Sequence, residues 1–198
     1  MANEEKNSQA IDLTILLPTY NESSTIEKML DAITTIIPPK INTEILVIDD
    51  DSPDGTSKIV DSYIQKSKGI VSFRVHTRKG KRGLSSAVID GINLAHGKFV
   101  LVMDSDFSHP PQMISTMYDE LVNNELDIVV GSRYVEGGND ERDKLRSFAS
   151  QFLNWVYQFA LSKEIKDYTS GMFVMKREVL LTAIPNCFGH GEFFVEFI

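Results

Sequence analysis

Cysteine is almost missing from this chain. One residue in 198, Cys187, carries a thiol, which excludes an intrachain disulfide framework and fits a reducing compartment. Long apolar runs are missing as well: residues 99–103 are typical of what is present, far short of the roughly 18 needed to span a bilayer. Positive charge is the third shortage. With 20 Lys+Arg against 28 Asp+Glu the net charge is −8, so no sequence-wide positive field invites nucleic acid. The opening MANEEKNSQA contains no apolar core and no twin arginine, hence no targeting signature. Residues 1–11 are expected to be a disordered start on a cytoplasmic chain that is soluble or peripheral to a membrane.

What is present is average globular material. At 42% apolar and 24% charged, the chain can bury a sizeable core and is neither disordered nor collagen-like. The β-prone run at residues 13–17, ended by Pro18, reads as a buried strand. Ile26, Met29, Leu30, Ile33, Ile36 and Ile37 then recur with the helical period, Ser24-Thr25-Ile26-Glu27 fits a capping box, and Pro38-Pro39 stops the helix. The unit repeats: strand 44–48 and helix 56–66, strand 70–76 and helix 84–95, strand 98–103 and helix 112–123, strand 127–130. Such alternation predicts an α/β fold, with right-handed crossovers and a mostly parallel sheet covered by helices on both faces.

From Asp140 the pattern is irregular. A long helix over residues 144–161 carries Phe148, Phe152, Trp155, Val156 and Phe159 around much of its circumference. That suits either a core helix or one facing a membrane or lipid acceptor. Residues 167–176 read as a turn plus strand. Residues 12–198 are thus expected to form one domain.

Ligands of parallel sheets bind beyond the carboxyl ends of the strands. The turns at those ends read PTYNE, DDDSPDGT, RKGKRG, DSDFSHPP and GSRYVEGG. Asp104 and Asp106, one residue apart after an apolar strand, can converge on a hard divalent cation that holds a diphosphate, or can cap the next helix, for which Ser108 and His109 are further candidates. Asp49 and Asp50 belong to a strand end, where carboxylates suit base N–H or ribose hydroxyl donors, whereas Asp54 and Thr56 suit capping. Arg78, Lys79, Lys81 and Arg82 precede a helix N-terminus, which makes either an anion site or a solvated basic loop. Neither G-x-G-x-x-G nor a P-loop is present there. Arg133, at a further strand end, and Arg146 have forks that suit phosphate oxygens, Arg146 equally suiting a surface position.

In this order and spacing the motifs PTYNE, VIDDDSPDGT, RKGKRGLSSAVIDGINLAHG, MDSDFSHPP, GSRYVEGG and DYTSGMFVMKREVL resemble the family 2 glycosyltransferases of the GT-A fold, within them the dolichol-phosphate mannosyltransferase group of polyprenyl-phosphate glycosyltransferases. The resemblance covers residues 14–196. It implies that Pro18, Tyr20, Glu22, Asp49 and Asp50 hold the nucleoside of a nucleotide-sugar donor, with Lys81, Arg82 and Ser105 near it. Asp104 and Asp106, joined by Ser108, would bind Mg2+ or Mn2+ and the donor diphosphate. Arg133, Arg146 and Ser170 would surround an acceptor phosphate. Two departures are Asp51, where the family usually has a small residue, and residues 139–145, which lack a tryptophan often found there.

The implied reaction is inverting transfer of a hexose, in the first place mannose from GDP-mannose, to a polyprenyl phosphate at the cytoplasmic face of a membrane. The acceptor phosphate loses its second proton at about pH 6, so the nucleophile arrives anionic and no base is needed. A UDP-hexose donor or a non-lipid acceptor is the alternative. A receiver-type signalling domain, suggested by the acidic strand ends ILVIDDDS and VLVMDSDF, is a rival from another class. Members of the group usually run longer, so a carboxyl-terminal part, such as a membrane anchor, is expected either to be missing or never to have been present.

Overall fold

The structure, a computed structural model, describes residues 10–67, 69, 71–132, 165–167 and 170–184. In chain order these form β1 (Leu13–Thr19), α1 (Ile26–Ile36), β2 (Thr43–Asp49), α2 (Thr56–Lys66), β3 (Ser72–Thr77), α3 (Leu84–Leu94), β4 (Phe99–Val102), α4 (Met113–Asn123), β5 (Ile128–Val130), β6 (Phe173–Lys176) and α5 (Arg177–Ala183). The long helix expected over residues 144–161 lies outside the described residues. Among the described residues, no helix is long and apolar enough to cross a membrane.

The strands form one sheet in the order β3-β2-β1-β4-β6-β5. β1 pairs in parallel with β2 and β4, and β2 with β3, while β6 is antiparallel to β4 and β5. The mostly parallel sheet read from the sequence is therefore present, with β6 reversed. Leu13, Ile15, Leu17, Ile45 and Val47 pack with α1, α2 and α4 on one face. Leu16, Leu46, Ile48, Val100 and Val102 pack with α3 and α5 on the other. Burial on both faces explains why β1 and β2 read as apolar runs rather than as alternating patterns.

The strand β1 continues two residues past the expected stop, through Pro18. The reason is geometric. Met103 N–H donates to Leu16 O and Asp50 N–H to Thr19 O, so even-numbered residues here face β4 and odd-numbered ones β2. Pro18 turns its missing N–H towards β4 beyond Val102, the last paired residue, and no ladder bond is lost. The capping box at α1 does not form. Thr25 is the N-cap without a side-chain cap bond, and its hydroxyl donates to Glu22 Oε2 at 2.6 Å.

At the opposite end of the strands, buried Glu44 accepts from the Thr14 hydroxyl at 2.7 Å, Arg74 at 3.1 Å and His96 N–H at 2.6 Å. Arg74 also donates to Leu94 O, so this network seats the end of α3 on the sheet. The direction in which strands are added reverses between β1 and β4, because β2 and β3 extend the sheet one way and β4 begins the other. That switch point leaves a crevice at the carboxyl ends of β1 and β4.

Gly97 makes the return into β4 possible. A Cβ there would lie 2.4 Å from Thr14 N and 2.8 Å from Phe99 O, main-chain atoms of the central sheet that cannot yield. Gly97→Ala is expected to cost about 1–3 kcal/mol by overpacking. A urea titration should show a lowered midpoint at constant m-value, and an unchanged midpoint would contradict this close approach.

Candidate active site

The turns after β1 and β2 are stitched into one surface by side chains that accept main-chain N–H groups. Asn21 N–H donates to Ser52 Oγ, Glu22 N–H to Thr56 Oγ1 and Ser23 N–H to Asp54 Oδ2, all at 2.9 Å. Asp49, fully buried, is occupied in the same work. It accepts from Thr19 Oγ1 at 3.1 Å and from Ser52 Oγ and N–H at 2.6 and 3.0 Å. At Asp54 burial raises the pKa, but hydrogen bonds from Thr56 and Ser23 outweigh it and hold the group at about 2.

The basic loop is organised from inside. Arg78 is buried and gives Nε to Asp50 Oδ1 at 2.7 Å, Nη1 to Ser86 and Asp90, and Nη2 to Gly83 O. Asp50 uses its other oxygen to accept Gly83 N–H at 2.8 Å. The anion at the N-terminus of α3 is thus the protein's own carboxylate. Lys81 reaches Asp90 at 3.2 Å with its side chain 64% exposed, and Arg82 lies over the Tyr20 ring at 4.5 Å. Two cavities that share Asp50 and Arg82 open here. One of about 360 Å³ adds Asp51, Gly80 and Lys81. One of about 270 Å³ adds Pro18, Thr19, Tyr20, Gly83, Leu84 and Ala87.

The turn after β4 carries Asp104 and Asp106. Since β1 separates β2 from β4, the two acidic turns stand two strand spacings apart, about 10 Å. Neither aspartate caps α4, and neither do Ser108 or His109: α4 starts at Met113 on Gln112 without a side-chain cap bond. Asp106 Oδ1 instead accepts Ser108 N–H at 2.9 Å, and the Ser108 hydroxyl donates to Asp104 Oδ2 at 3.5 Å. Phe107 between them has φ 67° and is 42% exposed. Burial first, and also the charge of Asp106, push the Asp104 pKa up, with the Ser108 hydrogen bond pulling the other way. At Asp106 burial is outweighed by the Ser108 hydrogen bonds, and the pKa falls. Among the described residues, no three His, Cys, Asp or Glu side chains form a ready metal cage.

The crevice therefore brings together Pro18, Tyr20, Asp50, Lys81 and Arg82, with Glu22 and Asp49 bracing its rim from beneath. Ser105 is buried under the turn that presents Asp104, Asp106 and Ser108. Ser170 is buried at the start of β6. Its hydroxyl reaches Gly131 O and Met172 O and accepts Met172 N–H, joining the ends of β5 and β6. Arg133 and Arg146 lie outside the described residues. Sequence reasoning missed the organising role of Arg78 and the contact of His109 with Asp104. For His109 the one signal was its place before Pro110-Pro111, which reads as a cap.

Comparison with known proteins gives this arrangement its class. The chain covers 88% of its length on a mannosyltransferase from Pyrobaculum calidifontis in complex with GDP-Man and Mn2+, at 23% identity and TM-score 0.63, and 47% of that chain. At that identity the likeness speaks for the fold, which is the GT-A glycosyltransferase fold. The family model described as Glycosyl transferase family 2 matches residues 14–182. The chain is 38% identical over 171 residues to a dolichol-phosphate mannosyltransferase of Pyrococcus furiosus, spanning 85% of this chain and 47% of that protein. It is 36% identical over 172 residues to a polyprenol monophosphomannose synthase of Mycolicibacterium smegmatis, spanning 84% and 62%. The chain belongs to glycosyl transferase family 2, and the receiver-domain reading falls. It spans about half to three-fifths of the length of these two relatives.

The depressed Asp54 gives a pH signature. A carboxylate held at about 2, against 3.8 ordinarily, stabilises the fold above its ordinary value and loses that contribution as pH falls through the lower one. Asp54→Ala, which removes the acceptor of Ser23 N–H, Thr56 N–H and the Thr56 hydroxyl, is expected to lose about 1 kcal/mol near neutrality. The gap in thermal midpoint between variant and parent should close as pH drops from about 4 towards 2. A gap that stays constant over that range would contradict the assignment.

Proposed function

We propose that this chain is the catalytic part of an inverting mannosyltransferase that moves mannose from GDP-mannose to a polyprenyl phosphate. The supporting observation is the meeting, at one switch point, of a crevice that presents Lys81 and Arg82 with an acidic turn in which the charge of Asp106 disfavours that of Asp104. The relatives' names point to the same donor sugar and acceptor class. Pro18, Tyr20 and Asp50, with Lys81 and Arg82, receive the nucleoside, braced by Glu22 and Asp49, and Ser105 supports the turn beside it. Asp104, Asp106 and Ser108 are hard oxygen donors of the kind Mg2+ and Mn2+ take. The rise in the Asp104 pKa caused partly by Asp106 is repulsion that a cation would relieve, so the donor set fits such an ion. Bound there with the donor, it supplies positive charge against the departing diphosphate.

Arg133 and Arg146 are assigned to the acceptor phosphate, whose second negative charge is already present above about pH 6, and Ser170 fixes the neighbouring segment. The acceptor's lipid tail implies peripheral contact with the membrane that carries it, on its cytoplasmic face. Residues 12–198 are read as a single catalytic domain.

The test offers radiolabelled GDP-mannose and UDP-glucose to the purified chain with dolichyl or undecaprenyl phosphate and Mg2+ or Mn2+. Label from GDP-mannose should enter the lipid extract. Label from UDP-glucose in that extract would reassign the donor, and label confined to water-soluble product would reassign the acceptor. Asp106→Ala should lower turnover by about a hundredfold or more while the far-ultraviolet circular dichroism stays that of the parent. Turnover retained in that variant would remove the acidic pair from the chemistry.

A further inference from the structure

Asp104 N–H lies just past the last ladder pair of β4, Val102 with Phe173, where no strand can accept it. His109 does so instead: its Nδ1 takes that N–H at 3.1 Å. The bond closes residues 104–109 into one turn, inside which Ser108 N–H is held by Asp106. In this bond the ring nitrogen is the acceptor. The other side of the ring meets Gly171. A Cβ at Gly171 would lie 3.0 Å from His109 Cε1 and 3.4 Å from Asp104 Oδ2, so glycine leaves the space that ring and carboxylate share. Gly171 directly follows Ser170, whose hydroxyl joins β5 to β6.

We propose that His109 is a positioning residue. By accepting the Asp104 N–H and packing on Gly171, it fixes the direction of the Asp104 carboxylate and ties the acidic turn to the start of β6. This rests on the reading of Asp104 and Asp106 as cation ligands given above. Histidine is well suited to the task. Its ring is rigid beyond two torsions, its nitrogen accepts without adding negative charge beside two carboxylates, and its Cε1 and Nε2 edge has room beside a glycine. Fixing a ligand's direction matters because groups outside the coordination sphere commonly change metal affinity by about 10–100-fold.

The experiment compares His109→Asn, whose Oδ1 can stand where Nδ1 stands, with His109→Leu, which fills space but accepts nothing. The first readout is amide hydrogen exchange at Asp104, which needs no metal and no turnover. The second is Mn2+ affinity by electron paramagnetic resonance, in the presence of GDP or UDP. In the parent and in His109→Asn, Asp104 should be protected and Mn2+ affinity should agree within about threefold. In His109→Leu, protection should be lost and the Mn2+ dissociation constant should rise by about 10–100-fold. Gly171→Ala, which pushes on the ring without removing the acceptor, should weaken Mn2+ with a smaller loss of protection. The positioning role is overturned if His109→Leu keeps the Asp104 protection, or if His109→Asn loses Mn2+ as fully as His109→Leu. A parent that binds no Mn2+ with either nucleotide overturns the cation reading itself, a result separate from the exchange data on the hydrogen bond.

Discussion

The ion pair between Arg78 and Asp50 is the contact on which the site face depends. The Arg78 side chain is 1% exposed and its Nη2 stands 2.6 Å from Asp50 Oδ1. A charge so buried is tolerated only with close partners and further hydrogen bonds. The guanidinium supplies both, since its donors reach Asp50, Ser86, Asp90 and Gly83 O from one planar group. The end of β2, the loop after β3 and the first turn of α3 are thereby locked together. Removing Arg78 would leave the buried Asp50 carboxylate without its cation, at a cost of about 3–5 kcal/mol. The crevice wall bearing Lys81 and Arg82 has its position because Arg78 is anchored below it.

The same accounting separates two kinds of carboxylate at the strand ends. Asp49, Asp50 and Asp54 take N–H or O–H donors from the protein on both oxygens or on a well-bonded pair. Their crowding in sequence is thus compatible with stability, and the acidic turn after β2 is a built structural element as much as a ligand surface. Asp104 differs. Its Oδ2 meets the Ser108 hydroxyl only at 3.5 Å and lies 3.6 Å from the His109 ring, and its proton is held more tightly than usual because burial and Asp106 disfavour the charge. The two aspartates of one turn are pushed in opposite directions, a pattern that accompanies functional sites more often than scaffolds.

Much of the framework was legible in the sequence because the forces that make it are local. The buried faces of α1 follow from Ile26, Met29, Leu30 and Ile33 at helical spacing, and the run at β1 follows from its burial on both sides. What the sequence concealed depends on partners far along the chain. Ser24 was expected to open a capping box with Glu27, yet α1 starts one residue later on Thr25, whose hydroxyl donates to the carboxylate of Glu22 three residues back. Pro18 was expected to end β1, and only the register of β4 shows that its missing donor falls where no acceptor stands. Arg78 looked like one of four ligand-facing cations, but Asp50, 28 residues away, had drawn it inward. His109 had no local signal beyond its neighbours Pro110 and Pro111.

These displacements also explain how a chain of net charge −8 can present exposed cations at the crevice. Of the four cations in RKGKRG, Arg78 neutralises Asp50, and Lys81 and Arg78 share Asp90. Asp50 and Asp90 are thus compensated before any ligand arrives. Arg82 then remains as surface charge, held by the face of Tyr20 at 4.5 Å rather than by a carboxylate. A ring restrains the guanidinium by its quadrupole without cancelling the charge. An arginine paired with an aspartate at that place would offer an incoming phosphate little net field, whereas one resting on tyrosine keeps its full charge and a defined direction. Screening over about 8 Å at physiological salt limits how far acidic residues elsewhere on the chain weaken that local charge.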